Sequence, residues 1–427
     1  MSIELLVPGK RVAKLILVEV NDGEIKGRQA KQSNKFYNMY EQNDATFIVE
    51  YGRVDSTSAE KVYPIDKWDS TLKSKTQRSK SPYKDVTHLF QQNDGTTSSA
   101  SPSIIDVQDV KVRTVLNSLQ SYAQKSVQQN YTISSRNVTQ AMIDQSQLCV
   151  DNIVNEINQG LDIAKVNKDL LHLYHIIPRK MGNVNDYLLN AQSDKQSALK
   201  IIEDEQQTLD VMAGQVNLDT QQTNQPQQQQ QAQTLLSILG LEMVACNDSE
   251  IATIKKLMGD NARQFKNGYA VKNLATQRKF ENHIENAKNK TSQLFWHGSR
   301  NQNWLNIIST GLMIRPAGAI HNGSMFGDGI YLADKCQKSI GYTSLRGSYW
   351  TSGGDNTAYL ALFSVHVGEQ KHIKHHDSSC YRLCKNVLAK DGYDSVFAHG
   401  GADLRNNEYI VYDGCQSTIS YLVEIGN

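Results

Sequence analysis

Met325-Phe-Gly-Asp-Gly-Ile-Tyr-Leu-Ala-Asp334 decides the fold. Its Gly327-Asp-Gly329 opens like a dinucleotide-binding fingerprint, whose glycines turn a strand tightly into a helix that receives a pyrophosphate at its N-terminus. The sixth position of that fingerprint should be Gly or Ala and is Leu332 here. After the glycines comes a strand pattern, Ile330-Tyr-Leu332, with no βαβ unit around it. A doubly wound nucleotide fold is excluded, and no Gly-x-x-x-x-Gly-Lys-Ser/Thr phosphate loop occurs.

Outward from this stretch, short apolar runs recur at Leu294-Phe-Trp296, Tyr359–Val367, Ser395-Val-Phe397, Glu408–Tyr412 and Ser420–Ile425, separated by glycines rather than long helices. That punctuation predicts an α+β domain with a mostly antiparallel sheet over 234–427. Upstream, two segments poor in apolar residues, 91–102 and the Gln-rich 221–233, cannot offset the entropy of ordering and read as linkers. Between them, apolar residues recur at three and four positions (Val112, Val115, Leu116, Leu119; Cys149, Ile153, Ile157), which predicts a helical bundle over 103–220. Residues 1–90 instead alternate, as in Val12–Val20 and Thr46-Phe-Ile-Val-Glu-Tyr51, and predict a small α+β domain. The whole is an α+β multidomain chain.

With 45 Lys+Arg against 44 Asp+Glu in 427 residues, the net charge of +1 excludes a protein that coats nucleic acid along its whole surface. The balance conceals slightly basic ends and an acidic middle. Lys61, Lys67, Lys73, Lys75, Arg78, Lys80 and Lys84 face only Asp66 and Asp69, a run suited to phosphate or to a solvated face. The start of the chain, broken by Glu4, Lys10, Arg11 and Lys14, lacks the apolar core of a signal peptide, and no apolar run reaches bilayer length. Six dispersed cysteines do not form a disulfide framework. A soluble intracellular protein with reduced thiols is expected.

Polar residues seated in strand-like or glycine-flanked segments are the chemical signal: His297-Gly-Ser-Arg300, the Met325–Asp334 stretch, Lys338-Ser339 with Tyr342, and Asn407-Glu-Tyr-Ile-Val-Tyr-Asp413. Glu408 begins an apolar strand, where a carboxylate is costly unless charge or hydrogen bonds meet it. In this order the motifs resemble the poly(ADP-ribose) polymerase family of diphtheria-toxin-like ADP-ribosyltransferases, over most of 290–427. The helical block resembles that family's regulatory domain. The first block resembles its WGR domain, with Tyr51-Gly-Arg53 at the name-giving tripeptide and Tyr51 in place of Trp. The three-block order is similar to the small DNA-dependent members.

The resemblance implies NAD+ as substrate and His297, Tyr331 and Glu408 as catalytic residues. It implies that Gly298 and Ser339 hold the nicotinamide amide, that Tyr342 and Tyr331 flank its ring, and that His297, with Ser299 and Asn303 nearby, binds the adenosine ribose. Glu408 would engage the 2′-hydroxyl of the nicotinamide ribose and help to polarise the acceptor. Such residue types suit an oxocarbenium-like transition state, which needs a held leaving group and nearby negative charge. Two departures stand out: Asp328 where chain-forming members often carry Lys, and Met313 where Arg is expected.

Tyr51, Arg53, Lys73, Lys75, Arg78 and Lys80 are the candidate DNA contacts, DNA strand breaks and protein acceptors, itself included, the implied partners, and a membrane is not among them. The compartment expected is the nucleus in a eukaryote, otherwise cytoplasm or nucleoid. His372, His375, His376, Cys380 and Cys384 have metal-ligand chemistry but no finger spacing, so no metal is expected. A catalytically silent DNA-binding scaffold and an NAD+ glycohydrolase are the alternatives.

Overall fold

The computed structural model describes residues 9–20, 32–54, 56–90, 104–105, 107–130, 138–223, 233–314, 325–351 and 353–427. The first half of the chain runs β1 (Val12–Val20), β2 (Gln32–Glu41), β3 (Thr46–Arg53), β4 (Ala59–Pro64), α1 (Trp68–Thr76), β5 (Lys84–Asp85), β6 (Ile104–Ile105), α2 (Val110–Asn130), α3 (Gln140–Gln159), α4 (Ile163–Ile176) and α5 (Lys195–Thr223). It continues through β7 (Gln233–Thr234), α6 (Leu235–Ile238), β8 (Leu241–Ala245), α7 (Asp248–Met258), β9 (Phe265–Asn273), α8 (Leu274–Asn286), β10 (Gln293–Gly298) and α9 (Trp304–Thr310). The last elements are β11 (Ile330–Leu332), α10 (Cys336–Ile340), β12 (Thr357–Val365), β13 (Gln370–Ile373), α11 (Lys385–Lys390), β14 (Ser395–Ala398), β15 (Glu408–Val411) and β16 (Ser417–Gly426).

These elements divide into two compact units, residues 1–99 with 126–216, and 100–125 with 217–427. The three sequence blocks therefore do not map one to one onto units, because the helical block, 103–220, contributes to both. The 91–102 linker lies outside the described residues. Helix α5 continues to Thr223, so the stretch read as a linker from 221 is helical at its start, and 224–232 lie outside the described residues.

In the first unit, alternation along β1–β3 puts Ala13, Leu15, Tyr37, Met39, Phe47 and Val49 on one sheet face, sealed by Trp68 of α1. The opposite face is buried as well, at Ile16, Val18, Asn34, Asn38 and Tyr40; there Asn34 Nδ2 donates to the Arg179 carbonyl at 2.9 Å, and at the strand edge the Val18 N–H donates to His175 Nε2 of α4 at 3.1 Å. Helix α3 begins where Thr139 accepts from the Met142 N–H, and it buries Met142, Ile143, Cys149, Val150, Ile153, Val154 and Ile157 at helical spacing. Asp162 caps α4 by accepting from the Lys165 N–H.

Among its described residues the second unit holds two larger sheets, ordered β10-β12-β16-β9-β8 and β11-β15-β14-β13, and the short pair β6-β7. All pairs in the two larger sheets are antiparallel except β13 with β14, and β6 with β7 is parallel too, in keeping with the mostly antiparallel expectation. Strand β12 lies in the middle of its sheet with Leu360, Ala361, Leu362, Phe363 and Val365 inaccessible, which explains its unbroken apolar sequence. The sheets meet where Trp296 and Ala333 exchange backbone hydrogen bonds of 2.8 and 2.9 Å. Among the described residues no helix is long and apolar enough to cross a membrane.

Candidate active site

His297 lies near the end of β10, Tyr331 sits in the middle of β11, and Glu408 starts β15. Tyr331 pairs with Ile410, two residues on from Glu408, so the Tyr331 and Glu408 side chains share one sheet face. The Trp296–Ala333 bridge brings β10 alongside: His297 Nδ1 lies 3.1 Å from the Tyr331 carbonyl. That carbonyl accepts a hydrogen bond from Nδ1–H, which leaves Nε2 as an acceptor. Burial lowers the His297 pKa below its ordinary value, an effect that the Tyr331 carbonyl only partly opposes, so the imidazole is neutral.

Gly298 follows, and only glycine fits there. A Cβ would strike the Ser339 carbonyl of α10. The close approach sets the Gly298 backbone beside Ser339, which is 4% exposed. Ser299 Oγ accepts from Asn303 Nδ2 at 2.9 Å, and the Trp304 indole donates to the Ser299 carbonyl at 3.2 Å and the Tyr359 carbonyl at 3.0 Å. The Tyr331 hydroxyl donates to the Gly327 carbonyl and accepts from the Phe326 N–H, both at 2.9 Å, which ties its ring to the 326–331 turn. Gly327 has φ 73° and no room for a Cβ beside the Leu383 carbonyl.

Glu408 is 7% exposed, and its Oε1 forms a short ion pair with Lys338 Nζ of α10. Burial lowers the Lys338 pKa, and the Glu408 charge pushes it back up in part. Asn407 steadies the strand start: it donates to Asp334 at 2.8 Å and accepts from the Gly400 N–H at 2.9 Å. Glu408 Oε2, Asn303 Oδ1 and Arg300 Nε are buried without a hydrogen-bond partner among the described residues. Buried polar atoms of this kind call for a polar ligand or water.

The sequence motif contains Lys338 but gives it no role. Its partner lies 70 residues away, a distance at which no local pattern reports a contact. Of the two departures, Asp328 donates its backbone N–H to the Leu383 carbonyl at 3.0 Å and burial raises its carboxyl pKa, while Met313 is exposed.

In the first unit, Tyr51 and Arg53 close β3. Tyr51 packs 5.8 Å from Tyr37, and Lys75 Nζ lies 4.4 Å above the Tyr37 ring, so Tyr51 and Lys75 share one aromatic neighbour. Arg53 reaches the Gly182 carbonyl at 3.5 Å. Lys73, Arg78 and Lys80 are exposed, at and just past the end of α1. The His/Cys cluster disperses: His372 contacts His399 at 2.9 Å, His376 donates to the Met325 carbonyl, and Cys380 is buried beside Phe326. Among the described residues no three His, Cys, Asp or Glu gather as metal ligands.

Comparison with known proteins agrees with this geometry. Residues 248–427 match the poly(ADP-ribose) polymerase catalytic domain. A poly [ADP-ribose] polymerase-like protein, 100L, of Invertebrate iridescent virus 6 is 32% identical over 160 residues, 37% of this chain and 83% of that protein. The uncharacterized protein 101L of the same virus is 27% identical over 211 residues, 49% of this chain and 80% of its own length. The poly [ADP-ribose] polymerase of Drosophila melanogaster is 33% identical over 152 residues, 30% of this chain and 15% of the fly protein. The second unit thus holds an ADP-ribosyltransferase catalytic domain. The chain belongs to the poly(ADP-ribose) polymerase family and is an NAD+ ADP-ribosyltransferase, with NAD+ as its substrate.

Proposed function

We propose that this transferase holds NAD+ between His297, Ser299 and Asn303 at the adenosine ribose and Gly298, Ser339, Tyr331 and Tyr342 at the nicotinamide. Glu408 takes the 2′-hydroxyl of the nicotinamide ribose. The observation that carries this reading is Glu408 itself: one oxygen is neutralised by Lys338, the other is buried and unpartnered, and the side chain shares a face with Tyr331. A carboxylate so placed accepts a strong hydrogen bond and stabilises positive charge beside it. As the bond between C1′ and the nicotinamide nitrogen breaks, the bonding electrons leave with nicotinamide. The ribose becomes oxocarbenium-like beside Glu408, the acceptor oxygen attacks C1′, and its proton passes to solvent or to the carboxylate.

The first unit then acts as a WGR-like reader of DNA strand breaks, with Tyr51 against an end and Arg53, Lys73, Lys75, Arg78 and Lys80 on phosphates. The helical block restrains transfer until DNA binds. Support for the restraint comes from α2, where Tyr122 packs edge-on against Tyr359 of the catalytic sheet at 6.5 Å. Incubation with labelled NAD+, with and without a nicked or 5′-phosphorylated duplex, tests both parts. Transfer indifferent to DNA sinks the switch, and transfer that survives Glu408→Ala sinks the site. Free ADP-ribose without labelled protein or DNA would mark a glycohydrolase instead.

A further inference from the structure

A row of three aromatic rings adjoins the nicotinamide end of the site. The segment after α10 folds back on itself. The Trp350 N–H donates to the Gly341 carbonyl at 3.0 Å, the Arg346 N–H to the Asp355 carbonyl at 2.7 Å and the Asp355 N–H to the Ser344 carbonyl at 3.0 Å. Beneath it the buried Ser348 hydroxyl donates to the Ile340 carbonyl at 3.0 Å. This fixed turn presents Tyr349 and Trp350, which are 79% and 63% exposed, whereas Trp68, Trp296 and Trp304 are at most 5% exposed. Trp350 stacks on Tyr342 with centroids 6.0 Å apart and 20° between planes, and Tyr349 stands edge-on to Trp350 at 4.7 Å and 90°.

We propose that Trp350 is a positioning residue for the donor: it backs the Tyr342 ring and fixes the plane on which that ring receives nicotinamide. The proposal rests on Tyr342 being the stacking partner of nicotinamide. A lone, half-exposed tyrosine ring loses rotamer freedom when a ligand stacks on it, and this cost weakens binding. Trp350 orders the ring in advance, and the edge of Tyr349 keeps Trp350 upright. In NAD+ the pyridine carries positive charge, which a π-stack two rings deep attracts more strongly than one ring. The contribution falls on donor binding and on nicotinamide release more than on bond cleavage, because the stack grips the ring in the ground state.

The test uses the full chain with Trp350→Ala, Trp350→Phe and Tyr342→Ala, and reads KM and kcat for NAD+, product inhibition by nicotinamide, and tryptophan fluorescence during nicotinamide titration. Trp350→Ala should raise KM and the nicotinamide inhibition constant by about three- to tenfold, the worth of one aromatic stacking contact, and lower kcat by less. Trp350→Phe should recover most of the loss. Nicotinamide should quench the wild-type fluorescence, and neither Trp350 variant should show that signal. If Trp350→Ala moves neither constant while Tyr342→Ala raises both, the proposal is overturned and the pocket assignment stands. If Tyr342→Ala also moves neither, the pocket assignment fails and the proposal with it. A lower KM in Trp350→Ala would mean that the indole fills the pocket rather than backs it, which also overturns the proposal.

Discussion

Lys338 and Glu408 form a buried ion pair that occupies one carboxylate oxygen and leaves the other unpartnered. The Lys338 ammonium supplies the opposite charge that a carboxylate sheltered from water needs beside it. Removing either partner strands a buried charge, which is why the two side chains act as one group.

The pair predicts an alkaline limit to activity. Burial lowers the Lys338 pKa below the ordinary value of 10.5, so the ammonium is lost as pH rises through that lowered value, earlier than for a free lysine. A pH–rate profile should fall on that limb. In Lys338→Arg, whose guanidinium stays charged, the limb should move beyond the accessible range. Lys338→Met should lower kcat by about 10²-fold or more. An unchanged limb in the Arg variant would assign it to another group.

Gly298→Ala should be far more damaging than its size suggests, because the new methyl strikes the Ser339 backbone rather than a movable side chain. We expect kcat/KM for NAD+ to fall by about 10²-fold as the nicotinamide end opens, with a stability loss of about 1–3 kcal/mol. Gly354→Ala, where a Cβ meets open space, is the control. Rates and melting temperatures of the two variants decide it.

The first unit should lose stability in mild acid through His175. Burial lowers the pKa of this imidazole to about 4, and its Nε2 accepts from the Val18 N–H, which a protonated ring cannot do. Its pKa in the unfolded chain is about 6.5. Between those values only the unfolded chain carries the proton, so stability is lost as pH falls from about 6.5 and the loss levels off below about 4. The total is about 3 kcal/mol. Urea unfolding between pH 7.5 and 4.5 should show a shallower pH dependence in His175→Gln than in the wild type.

The proposed reading of DNA breaks by the first unit predicts binding that divides between ends and phosphates. Lys73→Ala, Arg78→Ala and Lys80→Ala should each reduce the slope of log affinity against log salt by up to about 0.9. Tyr51→Ala should weaken preference for a break over intact duplex and leave that slope unchanged. Anisotropy titrations at several salt concentrations separate the two effects.

Much of the catalytic unit is legible in the sequence because its strands and its chemistry coincide. Glu408 begins a strand whose apolar run, Tyr409-Ile-Val-Tyr412, is plain, and the glycines at 327 and 329 mark a turn where a Cβ has no room. Strand β9 is hidden, since Phe265-Lys-Asn-Gly-Tyr-Ala-Val-Lys-Asn273 carries lysines on its exposed side and a glycine in its middle. Nor can periodicity place a unit boundary inside α2, because Val112, Leu116, Leu119, Ala123 and Val127 keep one apolar stripe through it. The Lys338–Glu408 pair and the Trp350–Tyr342 stack arise from tertiary folding, which one-dimensional pattern does not encode.

The backbone bonds exchanged by Trp296 and Ala333 give the catalytic unit a clock. Their amide protons can trade with deuterium only when the two sheets part, so the rate of that trade counts how often the cleft between His297 and Tyr331 opens. It can be read by hydrogen exchange with no substrate present and compared after DNA or nicotinamide is added. A transferase restrained at rest would then be told apart from one that is merely slow in chemistry.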